Sequence, residues 1–143
     1  MGSNIKVEVG GKNNPELGGG PLRLKGKVMG IFDGDYRSEG PMYAGLVKSF
    51  GQTAVLHVNG IDIIVTTHNL QILDRMQFAA FGIDPELKKV VALKSMQHFR
   101  AAFEPLAAEV IVCDSGALAR PRRSTMPFHN IRKPVYPLDK IQR

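Results

Sequence analysis

The sequence predicts an α+β fold: an antiparallel β-meander with hairpins, short helices, one strand–helix–strand unit and an extended, Pro-rich C-terminal tail. Three observations predict it. Apolar and polar residues alternate in "IKVEV" and "LRLKGKV", which is the period of a half-buried strand. The dipeptides Gly51-Gln52 and Asn59-Gly60 separate strand-like runs within "LVKSFGQTAVLHVNGIDIIVTT", where tight turns of the primed types fit. Two short β-branched runs, "KVVALK" (89–94) and "EVIVCD" (109–114), flank a segment whose apolar residues recur at helical spacing.

Met1-Gly2-Ser3 reads as a start residue and cloning remnant, so one domain is expected over residues 4–119 and a tail over 120–143. Ile5, Val7 and Val9 make the first strand's inward face. "GGKNNPELGGGP" has no apolar period and reads as an exposed loop; its three consecutive glycines lack the GK[ST] and the following helix of a phosphate loop. Leu22, Leu24 and Val28 make a second strand, with Gly26 at an inward position that suits a bulge or a close backbone approach. "FDGDYRSEGPMYAG" reads as a turn-rich connection; Asp33 and Asp35 lack the remaining ligands of a calcium loop.

A three-strand meander is expected next. A two-residue turn at Asn59-Gly60 sets Val58 against Ile61, His57 against Asp62, Leu56 against Ile63 and Val55 against Ile64. His57 thereby gains an opposite-charge neighbour, a structural role rather than a catalytic one. Asp74 with Gln77 three residues on forms a helix start, Phe78 and Phe81 sit three apart, and Gly82 is placed to end the helix, predicting helix over 75–81. Asp84-Pro85 repeats the start signal for another turn. Between the two β-branched runs, Met96, Phe99, Phe103 and Leu106 form a core stripe, and Pro105 ends that helix.

A chain of 143 residues with 43% apolar content suffices for one core and is too short for two substantial ones. No apolar run approaches the roughly 20 residues of a membrane span and no leader pattern opens the chain, so a soluble, cytoplasmic protein with no membrane contact is expected. Cys113, the single cysteine, lies in an apolar run and reads as a buried small hydrophobe. The net charge of +6 is concentrated in the tail, where Arg120, Arg122, Arg123, Arg132, Lys133, Lys140 and Arg143 face Asp139 as the only acid. With Phe128 and Tyr136 interleaved, that tail gives an alternative reading as a basic module for nucleic acid or an acidic partner. The prolines at 121, 127, 134 and 137 favour instead a segment laid along a protein surface.

Chemistry is sparse. HExxH, CxxC pairs, G-x-S-x-G and G-x-G-x-x-G after a strand are all missing. His68 stands alone in a loop without a second ligand at fixed spacing. The best candidate stretch is "ALKSMQHFRAAFEPLA". Ser95 follows a strand and is placed as an N-cap, Lys94 would help the free N–H groups there to hold an anion, and His98 and Arg100 flank Phe99 on opposite sides. On a helix those two cannot act on one small substrate atom unless another surface folds over them. Lys94, Ser95, His98 and Arg100 are therefore the substrate or interface candidates; no catalytic residue and no metal ligand are assigned.

Six stretches in order, "VEVGGK", "GPMYAGL", "TAVLHVNGIDIIVTT", "FGIDP", "LKSMQHFRAAFEPLAAEVI" and "RKPVYPLD", run from about Ile5 to Asp139, with "HFRAAFEP" the most specific. Together they resemble the C-terminal domain of the MlrC family, the microcystinase C-like zinc metallopeptidases. The resemblance implies a hydrolase of small linear or unusual peptides in which zinc activates water. It also implies that the zinc ligands, histidines and an aspartate, lie in a larger N-terminal domain with no counterpart here. This chain would then need no cofactor of its own and be inactive alone, an accessory domain partnering the N-terminal metallopeptidase domain. A bare apolar surface and self-association are expected when that partner is missing.

Overall fold

The computed structural model describes residues 2–13, 15–113 and 128–140. Strand β1 (Asn4–Val9) pairs antiparallel with the long β2 (Leu22–Phe32), and α1 (Pro15–Gly18) lies in the loop between them. The alternation of the sequence is the alternation of the sheet, because Ile5, Val7 and Val9 turn inward and Lys6 and Glu8 outward. The backbones of Gly2 and Ser3 continue this pairing, through Gly2 N–H to Val28 O at 2.9 Å and Val28 N–H to Ser3 O at 3.0 Å. A Cβ on Gly26 would lie 2.6 Å from the His57 carbonyl oxygen, which is the close approach expected there, while the bulge falls between Val28 and Gly30.

On both sides of that bulge β2 pairs with β5 (Thr53–Val58), and β5 pairs with β6 (Ile61–Thr66), giving a four-stranded antiparallel sheet of order β1-β2-β5-β6. The β5–β6 register has Val58 opposite Ile61, His57 opposite Asp62, Leu56 opposite Ile63 and Val55 opposite Ile64, as the Asn59-Gly60 turn dictates. Asn59 at φ 48° and Gly60 at φ 85° supply the two left-handed residues of a type I′ turn. A separate two-stranded ribbon joins β3 (Asp35–Arg37) to β4 (Val47–Ser49).

The core lies between sheet, ribbon and α2 (Met76–Ala79). Val55 from β5, Tyr36 from β3, Phe50 after β4, and Phe81 and Ile83 after α2 are its buried members. Aromatic rings run through it: Tyr36 stacks on Phe50 at 5.3 Å, Phe50 meets Phe81 at 6.0 Å, and Phe81 meets Phe32 edge-on at 5.4 Å. Such pairs add about 0.5–1.5 kcal/mol each beyond area burial. The helix signals around α2 are met at both ends. Gln77 Oε1 accepts the Asp74 N–H at 3.0 Å while Asp74 Oδ1 accepts the Met76 N–H at 2.9 Å. Gly82 at φ 74° closes the helix with its N–H on Ala79 O and the Ile83 N–H on Phe78 O, a Schellman arrangement. Asp84 caps the turn Pro85–Leu87 through the Glu86 N–H at 2.9 Å.

The architecture is antiparallel sheet with a few short helices, an α+β fold, and several local expectations are corrected. First, β4 does not join β5 in a meander; Gly51 at φ 64° turns the chain out of the sheet, and β2 is long enough to ladder β1 with one half and β5 with the other. Second, the turn-rich connection contains a strand, since Tyr36 of β3 buries its ring and only an extended backbone aims it inward. Similarly, the loop after β1 holds the single turn α1.

Third, residues 89–94 and 109–113 are not strands, and the helix between them shrinks to α3 (Arg100–Phe103) with a 3-10 turn at Glu104–Leu106. Strand propensity is realised only beside a partner edge, and neither run ladders onto one. Met96 and Leu106 are accordingly exposed, leaving Phe99 and Phe103 as the inward stripe. Fourth, Cys113 is exposed, because the run that was to bury it has no cover.

Residues 128–140 contain a turn closed by the Val135 N–H on Asp139 Oδ2 at 2.9 Å. Arg120, Arg122, Arg123 and Arg143 of the basic tail lie outside the described residues. Among the described residues, no helix is long and apolar enough to cross a membrane.

Candidate functional site

The four candidates lie on residues 94–100; two attachments to α2 hold that segment, and a third, from Asp74 just before α2, holds the loop that faces it. Phe103 is buried and packs edge-to-face on Phe78 at 5.8 Å, which fastens α3 to α2. Gln77, fully buried, donates from Nε2 to the Gln71 carbonyl at 3.1 Å, and the Gln71 side chain donates to Ser95 Oγ at 3.2 Å. Asp74 Oδ2 accepts the N–H groups of Glu39 and Gly40 at 2.8 and 2.7 Å, which fastens the facing loop. Burial works to raise the Asp74 carboxyl, but the N–H groups of Met76, Gly40 and Glu39 outweigh it and hold it below its ordinary range.

Between the fastened loop and α3 lies an open depression of about 410 Å³, with Pro41, Met42 and Leu73 on one side and Gln97, His98, Arg100 and Ala101 on the other. His98 and Arg100 thus share one surface. Phe99 between them is helical in backbone, and both residues line the depression together with Pro41 and Met42, so a second surface meets this stretch. Arg100 Nη1 donates to Glu104 Oε1 at 2.8 Å, and its guanidinium lies 5.4 Å from the Phe99 ring centroid. His98 is exposed at the rim. Ser95 accepts from Gln71 and caps nothing, since α3 begins after Phe99 without a side-chain cap. Lys94 is exposed, and neither Lys94 nor Ser95 lines the depression.

His57 behaves as a cross-strand partner. Its Nδ1 lies 2.7 Å from Asp62 Oδ1, and Lys88 Nζ donates to Asp62 Oδ2 at 2.6 Å. The Lys88 hydrogen bond first and the His57 one second lower the Asp62 carboxyl below its ordinary range. Among the described residues, no three His, Cys, Asp or Glu side chains converge on one point. A catalytic zinc needs about three protein ligands. The described residues therefore do not fit such a metal.

Sequence reasoning found Asp74 and Gln77 as a helix start and missed their second duty as the post for both walls of the depression. The glycine at position 40 was the available signal: a Cβ there would lie 3.1 Å from Asp74 Oδ2 and press on the carboxylate.

This antiparallel scaffold coincides with a known domain class. The chain belongs to the family described as MlrC C-terminus, which it matches over residues 1–130. Microcystinase C from a Sphingomonas species is 27% identical over 141 residues, an alignment that covers 99% of this chain and 26% of that protein. The crystal structure titled "Putative metallopeptidase" from Mesorhizobium sp. BNC1 superposes with a TM-score of 0.79 at 27% identity, over 99% of this chain and 28% of that one. The chain spans about a quarter of the length of these relatives.

Proposed function

We propose that this domain is the C-terminal companion of a zinc-dependent, MlrC-like metallopeptidase centre carried on an N-terminal domain, and that it walls the substrate cleft there without hydrolysing peptides itself. The carrying observation is the mismatch in coverage: 99% of this chain aligns with microcystinase C and with the Mesorhizobium protein, yet it accounts for 26% and 28% of them. The scattering of potential metal ligands among the described residues supports the same division of labour. In this reading the substrates are small linear or unusual peptides. Lys94, Ser95, His98 and Arg100 face the cleft or the domain interface, and the Arg100 guanidinium with the His98 imidazole offers donors for a peptide carboxylate.

Metal content and peptide turnover of the purified chain test the proposal. The expected outcome is far less than one zinc per chain and no cleavage of short linear peptides. Stoichiometric zinc held by this chain alone, accompanied by cleavage that a chelator stops, overturns it.

A further inference from the structure

The two runs that read as strands but do not pair each carry strongly exposed apolar side chains. Leu87 is 82% exposed, Val90 83%, Ile111 73% and Val112 60%. Val90 lies in the first run with Leu87 in the turn just before it, and Ile111 and Val112 stand side by side in the second, so the exposed apolar residues flank one connection at both ends. Among the described residues the sheet offers no closure from within. Strand β6 ends the order β1-β2-β5-β6, and Lys88 reaches Asp62 of β6 with its side chain, yet residues 89–94 leave without laddering onto that edge.

We infer that residues 87–113 are the docking surface for the N-terminal part of MlrC-like proteins, and that residues 89–93 and 109–112 complete their strands on that contact. The inference rests on the proposed function and adds where, and by what backbone change, the partner is held. The occupant follows from chain length. About three quarters of each relative has no counterpart in this chain, so a polypeptide several times its size accompanies the same domain in both. A covalently linked partner acts at an effective concentration on the order of millimolar, which a second free copy does not match. The chemistry fits strand addition: main-chain N–H and C=O groups of the two runs supply affinity, and the alternate apolar side chains, Val90 and Ile111 among them, select an apolar pocket.

The test uses the N-terminal part of the Mesorhizobium protein as a separate polypeptide, with that protein's own C-terminal quarter as the positive control. Amide hydrogen exchange of this chain is followed alone and with the partner. Binding should slow exchange at residues 89–93 and 109–112 by at least about tenfold and leave the β2–β5–β6 ladder unchanged. V90D and I111D replace exposed side chains, so each should keep the melting temperature of the free domain while weakening the complex at least about tenfold. Binding without protection of these residues overturns this inference and leaves the companion role standing. Failure to bind a polypeptide that accepts its own C-terminal quarter overturns both. Concentration-dependent protection of the same residues in the chain alone assigns the surface to a second copy and also overturns it.

Discussion

Asp74 fastens Gly40: its Oδ2 accepts the Gly40 N–H at 2.7 Å, while its Oδ1 accepts the Met76 N–H at 2.9 Å. One carboxylate thus starts a helix and holds a loop that is 34 positions away. Replacing it with alanine leaves the Glu39 and Gly40 N–H groups without their acceptor and removes the helix cap. The expected loss is about 2–4 kcal/mol, since a charge-assisted hydrogen bond contributes about 1.5–3 and a cap about 0.5–2. Urea denaturation measures it, and a change under about 0.5 kcal/mol would show that the loop stands without this tether.

The same carboxylate predicts acid sensitivity. Its folded-state pKa lies below the ordinary value, because the three backbone N–H groups outweigh burial. The unfolded chain therefore takes up the proton first. The stabilisation is complete above the unfolded value, near pH 4, and fades as pH falls through the folded one. Asp62 shifts in the same direction through Lys88 and then His57, but that cluster faces water and weighs less. The urea midpoint of the wild type should drop more steeply between about pH 5 and 2 than that of Asp74→Asn. Parallel profiles would mean that another group governs the acid limb.

Much of this scaffold was legible because its signals are local. Asn59-Gly60 sets the β5–β6 register, and Asp74 to Gly82 carries both ends of α2. The errors share the opposite cause. Whether β4 pairs with β5 depends on β2, which arrives from elsewhere in the chain, and whether "KVVALK" becomes a strand depends on an edge that residues 89–94 do not contact. Cys113 follows its run, exposed when the run is exposed. At the site, residue types were readable but directions were not. His98 and Arg100 meet on one depression with Pro41 and Met42 of a distant loop, and the attachments to Asp74 and Gln77 that shape it join distant segments.

Gly34 tests the junction between sheet and ribbon. It sits at φ 90°, and an added Cβ would fall on the Gly51 carbonyl, a backbone atom that cannot swing aside. The Phe50 N–H also donates to the Gly34 carbonyl at 2.9 Å, so displacing either chain breaks a second contact beside the buried Phe50 ring. Gly34→Ala should cost more than about 2 kcal/mol, against about 1 kcal/mol or less at an unobstructed glycine of similar φ such as Gly45. Equal costs at the two positions, measured by thermal denaturation, would dismiss the close approach as the cause.

His57→Ala separates a sheet contact from a reactive group. The His57–Asp62 pair sits across β5 and β6 at 2.7 Å, with the histidine partly open to water. A cross-strand pair of this kind contributes about 0.2–1 kcal/mol, so the variant should lose no more than that in denaturant. When joined to an active metallopeptidase domain, it should keep peptide turnover within about twofold, because an outward face of the sheet touches no reacting atom under the proposed function. A loss of a hundredfold or more in kcat with the fold intact would move the reactive chemistry onto this sheet.

His98→Ala and Arg100→Ala should show the reverse pattern. Both side chains stand at the rim of the depression, and the one polar contact of the Arg100 guanidinium among the described residues is to Glu104 at 2.8 Å, a helix-surface pair worth about 0.3–0.5 kcal/mol. Neither variant should lower free-domain stability by more than about 0.5 kcal/mol. In the assembled enzyme, donors that hold a substrate carboxylate act equally on ground and transition states, so Arg100→Ala should raise KM about tenfold or more with little change in kcat. Amidating the peptide's C-terminus should remove that difference between wild type and variant, since the carboxylate is then gone. If amidated and free peptides respond alike, Arg100 serves the domain interface instead, and its effect should appear in the affinity of the two parts.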